Sequence, residues 1–250
     1  MKTMKKKDAG HRRRSLENTL NEKDRIMKPS RRMAILLGIL LISGIVFGIL
    51  NTVPVLEFPG YLEKLPTIRT QVLIAVFFQS TMATVYVCIA ALFYPLIKKS
   101  GEGLAMGYFG FRIIGATFLF VGIGSLLLLL WLSQNYLEAG QLDSSFFIRV
   151  GELLRTGRDI MNHIGMVLPW CSGGLILYYC MFKLELVPKW LSNWGIASSA
   201  LSILATLMLM LGIIKIISAP YMLMNVPTGL HELTLAAFLI VKGFNSSKVE

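Results

Sequence analysis

Six long runs of apolar residues divide the chain: Met33–Leu50, Val72–Ile97, Leu104–Leu132, Ile160–Phe182, Trp190–Ile217 and Pro220–Val241. About 20 helical residues cross the hydrocarbon core of a bilayer. Each run is therefore long enough to cross once, and the longer ones must tilt or emerge among the headgroups. The last two runs meet near Ser218, Ala219 and Pro220. A tight hairpin fits there, because proline ends one helix and starts the next. Between the first two runs, Phe58–Pro66 contains Pro59-Gly60 and Pro66 and reads as a loop on the outer side. Ahead of the fourth run, Ser145–Leu154 sets Phe146, Phe147 and Val150 against Arg149 and Glu152 at helical spacing. Two readings stand open for it: a short interfacial helix, or an extension of the fourth span. The first run follows a basic segment, as in a signal peptide, but no small-x-small cleavage site follows it, so it reads as a retained span.

Composition agrees with the pattern. Hydrophobic residues make up 54% of the chain and charged residues 16%, with a mean hydropathy of +0.63. Soluble domains carry about 25% charged residues. The deficit excludes a soluble enzyme, a disordered chain and a disulfide-rich scaffold. The expected fold class is all-α, an integral membrane bundle of six transmembrane helices. Cys88, Cys171 and Cys180 all fall inside apolar runs and fit no metal spacing, which makes packing their expected role.

The net charge of +11 is concentrated at one end. Residues 1–32 hold 12 Lys/Arg against four acids. This basic tail ends where the first apolar run begins and has no interleaved aromatics for base stacking, so it reads as a cytoplasmic anchor and not a nucleic-acid arm. With the tail inside, 18 basic residues lie on the inner side and six on the outer. The positive-inside rule then puts both termini in the cytoplasm. The expected organisation is a disordered basic tail over 1–32, a six-helix transmembrane domain over 33–245 and a short cytoplasmic tail over 246–250. The bilayer itself is the one partner the composition calls for.

Three charged residues fall inside the runs: Arg112, Lys215 and Glu232. Lys215 sits near an outer end and can snorkel to water. Arg112 and Glu232 are deeper, and an intramembrane charge costs at least a few kcal/mol (about 2.5 to 3.5 on insertion scales) unless it faces protein or water. Each lies roughly 12 to 14 Å from the inner end of its helix at about 1.5 Å per residue. A direct Arg112–Glu232 bridge between the third and sixth spans is the expectation. His231, Asn225 and Thr228 extend a polar stripe on the sixth span, and Asn162 and His163 add polar groups on the fourth. Gln79, Ser80 and Thr84 do so on the second. These groups define a candidate cavity centred on Arg112, His231 and Glu232, for a small ligand or ion. Two other readings stand beside it: a non-catalytic structural, stress-response or immunity-type membrane protein whose charges only specify helix pairing, and an intramembrane enzyme acting on lipid. The enzyme reading lacks support, because there is no H-E-x-x-H, G-x-S-x-G, P-loop or G-x-G-x-x-G, and Glu232 is the only acid within a run. No cofactor or metal site is indicated. Small-residue spacings such as Gly44-x-x-x-Gly48 and Gly195-x-x-x-Ser199 mark close helix contacts, within the chain or between copies.

The run Glu102–Arg112 (EGLAMGYFGFR) resembles the signature of a bacterial membrane family, domain of unknown function 4386. The same order is followed by Tyr94-Pro95 with Lys98-Lys99, by Arg158-Asp159, by Val187-Pro188-Lys189-Trp190 through Gly195, by His231-Glu232 and by Val241–Phe244. The likeness covers about residues 30–245 and omits the basic tail. It implies a six-span protein of the bacterial cytoplasmic (inner) membrane. It implies no activity and no catalytic residues.

Overall fold

The structure, a computed structural model, describes residues 31–139 and 144–245. Nearly all of the basic tail, and the 246–250 segment, lie outside the described residues. Helix α1 is Arg31–Leu50. Helical turns at Pro54–Glu57, Tyr61–Lys64 and Leu65–Ile68 lead into α2, Arg69–Lys98. Next come α3 (Glu102–Ala139) and α4 (Ser144–Ile160), then a π turn (Met161–Gly165) that joins α4 to α5 (Val167–Lys183). Helices α6 (Lys189–Met210) and α7 (Ala219–Val241) complete the bundle. Among the described residues there is no strand, and six continuous helical stretches are long and apolar enough to cross a membrane.

Several helix boundaries differ from those the sequence predicts; α3, for one, runs on to Ala139, past the expected end at Leu132. The expected loop at 58–66 is helical from Tyr61 and runs on into α2. Its apolar side chains account for this: Tyr61, Leu62 and Leu65 are buried among Leu126, Leu129 and Leu130 of α3. Pro66 sits in the first turn of its segment, where no amide hydrogen is needed. Ser145–Leu154 belongs to the fourth span, because α4 continues through the π turn into α5. That turn places Met166 N on Met161 O at 3.0 Å, a widened ring just ahead of Pro169. A proline ring would clash with the carbonyl four residues back in a regular helix, and a π turn relieves it. Helix α6 stops at Met210, short of Ile217. Gly212 adopts φ 69° and the amide of Ile213 reaches back to Met208 O at 2.9 Å, a left-handed glycine stop.

The spans pack in order around a closed bundle. Helix α2 runs along α3, α3 along the α4–α5 span, α5 along α6, and α6 along α7. Helix α1 closes the ring. Its Gly44 lies against the Tyr86 ring of α2, and Arg31 donates to the last carbonyls of α7, Leu239 O at 2.9 Å and Ile240 O at 2.6 Å. Leu239 O also accepts from the Gly243 amide at 3.1 Å, so the guanidinium adds donors at a helix end where carbonyls outnumber backbone N–H groups. The small-residue spacings thus mediate contacts within the chain. Large apolar side chains such as Phe77, Trp131 and Leu223 point outward, at 64%, 62% and 70% exposure, where hydrocarbon is their natural solvent. Since lipid is as apolar as leucine, close van der Waals packing and buried polar contacts must hold the helices together.

Candidate functional site

Arg112 on α3 and Glu232 on α7 are both buried, at 3% and 6% exposure. They do not form a direct ion pair among the described residues. Trp170 of α5 stands between them and serves both. The Arg112 guanidinium carbon lies 3.9 Å from the centroid of the Trp170 ring. The indole Nε1–H of Trp170 points at Glu232 Oε1 at 3.4 Å. Tyr86 of α2 donates to Glu232 Oε2 at 3.5 Å, and its ring meets Trp170 edge-on at 3.8 Å between centroids. Tyr108 adds a second ring 5.4 Å from the guanidinium. A desolvated cation over an indole gains about 2 kcal/mol. The ring therefore offers the arginine a π face while giving the carboxylate an N–H donor. The expected Arg112–Glu232 bridge is replaced by an Arg112–Trp170–Glu232 stack that draws on three helices.

His231 adjoins Glu232 in sequence but faces α6. Its Nε2–H donates to the Leu191 carbonyl at 2.9 Å, which leaves Nδ1 buried with no partner. The ring packs edge-on against Tyr178 at 4.5 Å and Trp194 at 5.6 Å. Gly195 makes this approach possible: a Cβ there would lie 2.6 Å from the Tyr178 ring and 2.8 Å from His231 Cε1.

One level farther from the Arg31 end of α1, the polar groups open into a cavity of about 580 Å³. Its polar walls include Asn51, Glu57, Gln79, Arg158, Asn162 and His163. Met82, Leu119 and Met166 also line it. Met82 and Met166 lie four residues, one helical turn, before Tyr86 and Trp170. A thioether layer thus separates the cavity from the charged stack. Gln79 is 1% exposed and gives both amide hydrogens away, to Leu119 O at 3.1 Å and to Asn162 Oδ1 at 3.0 Å. Its Oε1 is left buried and unpartnered. Arg158 is 9% exposed and pairs through Nη1 with Asp159 at 3.1 Å, while its Nε has no partner. His163 Nδ1 lies 3.2 Å from the Tyr221 hydroxyl.

The residues singled out in the sequence therefore fall into three groups. Arg112 and Glu232 share the buried stack, with His231 beside it. Asn162 and His163 line the cavity. Asn225 and Thr228 do neither: Asn225 donates to Tyr221 O on its own helix at 2.8 Å, and Thr228 bonds Ser202 at 2.7 Å and Ser198 O at 3.1 Å, clamping α6 to α7. The sequence reading missed Trp170 and Tyr86 in the stack, and Arg158 and Glu57 in the cavity. A signal existed for the first two, since an indole N–H or a phenol hydroxyl in mid-span needs a polar partner. Among the described residues no cluster of His, Cys, Asp and Glu is suited to a metal.

Six apolar helices enclosing a charged stack and a polar vestibule define a multi-pass membrane protein. The chain belongs to the family described as Domain of unknown function (DUF4386), whose sequence model matches residues 36–243. Comparison with curated proteins and with solved structures finds no match.

Proposed function

We propose that the protein resides in the bacterial cytoplasmic membrane with both termini inside, and that it binds a small polar solute in the vestibule at its outer end. The observation that carries this reading is the vestibule itself: about 580 Å³, walled by Arg158, Glu57, Gln79, Asn162 and His163. Sites for small molecules commonly measure about 300 to 1,000 Å³ and hold a few convergent polar groups.

The reading is tested on the full chain in detergent. Thermal unfolding is followed against separate neutral, cationic, anionic and zwitterionic small solutes. At least one class should raise the melting temperature by a few degrees, since a ligand at about 100 times its Kd adds about 2.7 kcal/mol to stability. Asn162→Leu should remove the shift. A flat response across all four classes overturns the reading. It would leave the alternative favoured by the closed Arg112–Trp170–Glu232 stack, in which the intramembrane charges only specify helix pairing.

A further inference from the structure

A second pocket, of about 430 Å³, opens at the end of the bundle away from the vestibule, where α5 turns into α6 and α7 ends. Two turns build it. Glu185 takes a left-handed φ of 51° and Gly243 one of 76°. The amide of Asn245 donates to Leu186 O at 3.0 Å and ties one turn to the other. Phe244 is buried and packs edge-on against Phe93 of α2 at 6.2 Å, which anchors the second turn in the core. The lining is of two kinds. Val187, Pro188 and Phe238 make an apolar wall, and Lys189 and Lys242 bring positive charge. Both lysines are exposed, and contacts with other lining residues hold their ammonium groups at the pocket. Lys242 Nζ lies 5.9 Å from the centroid of the Phe238 ring. Lys189 Nζ pairs with Glu185 Oε1 at 3.2 Å.

Charge and position together define the occupant. Among the described residues no carboxylate pairs with Lys242. Arg31 adds a cation behind Gly243, with Nη1 3.1 Å from where a Cβ of that glycine would lie. Lys189, Lys242 and Arg31 thus meet one carboxylate, Glu185, and the surplus calls for an anion. Beside Lys189, Trp190 is 56% exposed and stacks on Trp194 at 6.4 Å. A tryptophan at the end of a span marks the level of the lipid headgroups. A soluble anion would use the lysines and leave the apolar wall wet. A phospholipid brings a phosphate and an apolar body to this same level. A choline or ethanolamine headgroup would set a further cation beside the lysines, so a headgroup with net negative charge matches better. Basic pockets between spans take anionic headgroups in this way. We propose that the pocket seats an anionic phospholipid, its phosphate at Lys242 and Lys189 and its glycerol and first acyl carbons against Phe238. This assignment does not depend on the vestibule binding a solute.

The test is native mass spectrometry of the purified full chain, released from detergent micelles that hold equal amounts of phosphatidylglycerol and phosphatidylcholine with the same acyl chains. The protein should retain phosphatidylglycerol in preference by at least about fivefold, the effect of one lysine at an anionic lipid surface. Lys242 is exposed, so its variants keep the fold. Lys242→Gln should remove most of the preference, and Lys242→Arg should keep it. Lys98→Gln loses the same charge at the end of α2, outside the pocket, and should retain lipid as the wild type does. Inorganic phosphate should not displace the lipid. Equal retention of the two lipids overturns the proposal, as does a preference that survives Lys242→Gln. Equal losses in Lys98→Gln and Lys242→Gln overturn it in favour of diffuse surface charge. Displacement by inorganic phosphate alone overturns it in favour of a site for free anions.

Discussion

At the scale of single residues, Trp170 carries the most consequence. It supplies a π face to Arg112 and an N–H to Glu232, two ions buried at 3% and 6% exposure. Removing one partner of a buried charge costs more than the contact itself is worth, because the other charge is left uncompensated. Trp170→Phe keeps a ring beneath the guanidinium and loses the indole donor. We expect it to cost about 1 to 3 kcal/mol. Trp170→Ala loses both contacts and opens a void, and should cost about 3 to 5 kcal/mol or prevent folding. Melting temperatures in one detergent should therefore rank wild type above Phe above Ala. Equal losses in the two variants would mean that ring packing over Arg112 contributes nothing. Arg112 and Glu232 were legible as a buried pair because charge is so scarce in the spans. Trp170 was not, since a tryptophan in an apolar run looks like any other large side chain until its neighbours are known.

At the scale of helices, close contact is set by where side chains are absent. Gly195 lets α6 meet Tyr178 of α5 and His231 of α7. Gly229, on α7, has no atom within 4 Å of a would-be Cβ. The same substitution should therefore have opposite signs at the two sites. Gly229→Ala should stabilise the protein slightly, since alanine is favoured over glycine in a helix by about 1 kcal/mol. Gly195→Ala should lower the melting temperature by several degrees, because backbone or rings must move to admit the methyl group. If Gly195→Ala is silent, the α5–α6–α7 contact is looser than the geometry requires. The continuity of α4 with α5 also belongs to this scale. Periodicity alone left Ser145–Leu154 open between a separate helix and an extension. The π turn at Met161–Gly165 resolves it by absorbing Pro169 without breaking the span.

At the scale of the whole molecule, the start of α1 and the end of α7 lie at one end of the bundle and the vestibule at the other. Arg31 of α1 reaches the last carbonyls of α7, while the vestibule is walled by Asn51 at the far end of α1 and by Arg158. The proposed orientation follows from the excess of basic residues on that side, which by the positive-inside rule would face the cytoplasm and leave the vestibule facing out. A fluorescent protein fused to the C-terminus should therefore fluoresce in intact cells. A cysteine placed at Phe58 in a background lacking Cys88, Cys171 and Cys180 should react with an impermeant maleimide added outside. A fusion that stays dark with unreactive Phe58→Cys reverses the topology.

The sequence by itself determined the number of spans, the helical class and the depth of the buried charges. Length, hydropathy and the rise per residue are properties of each helix alone. It did not determine rotation about the helix axes, and rotation chooses partners. A water-soluble helix announces its inward face by polarity. A span whose lipid face and protein face are equally apolar carries no such mark. Only the tertiary structure turned Trp170 between Arg112 and Glu232, faced His231 toward Leu191, and gathered Arg158 with Glu57 and Gln79, residues from three separate segments, around one cavity.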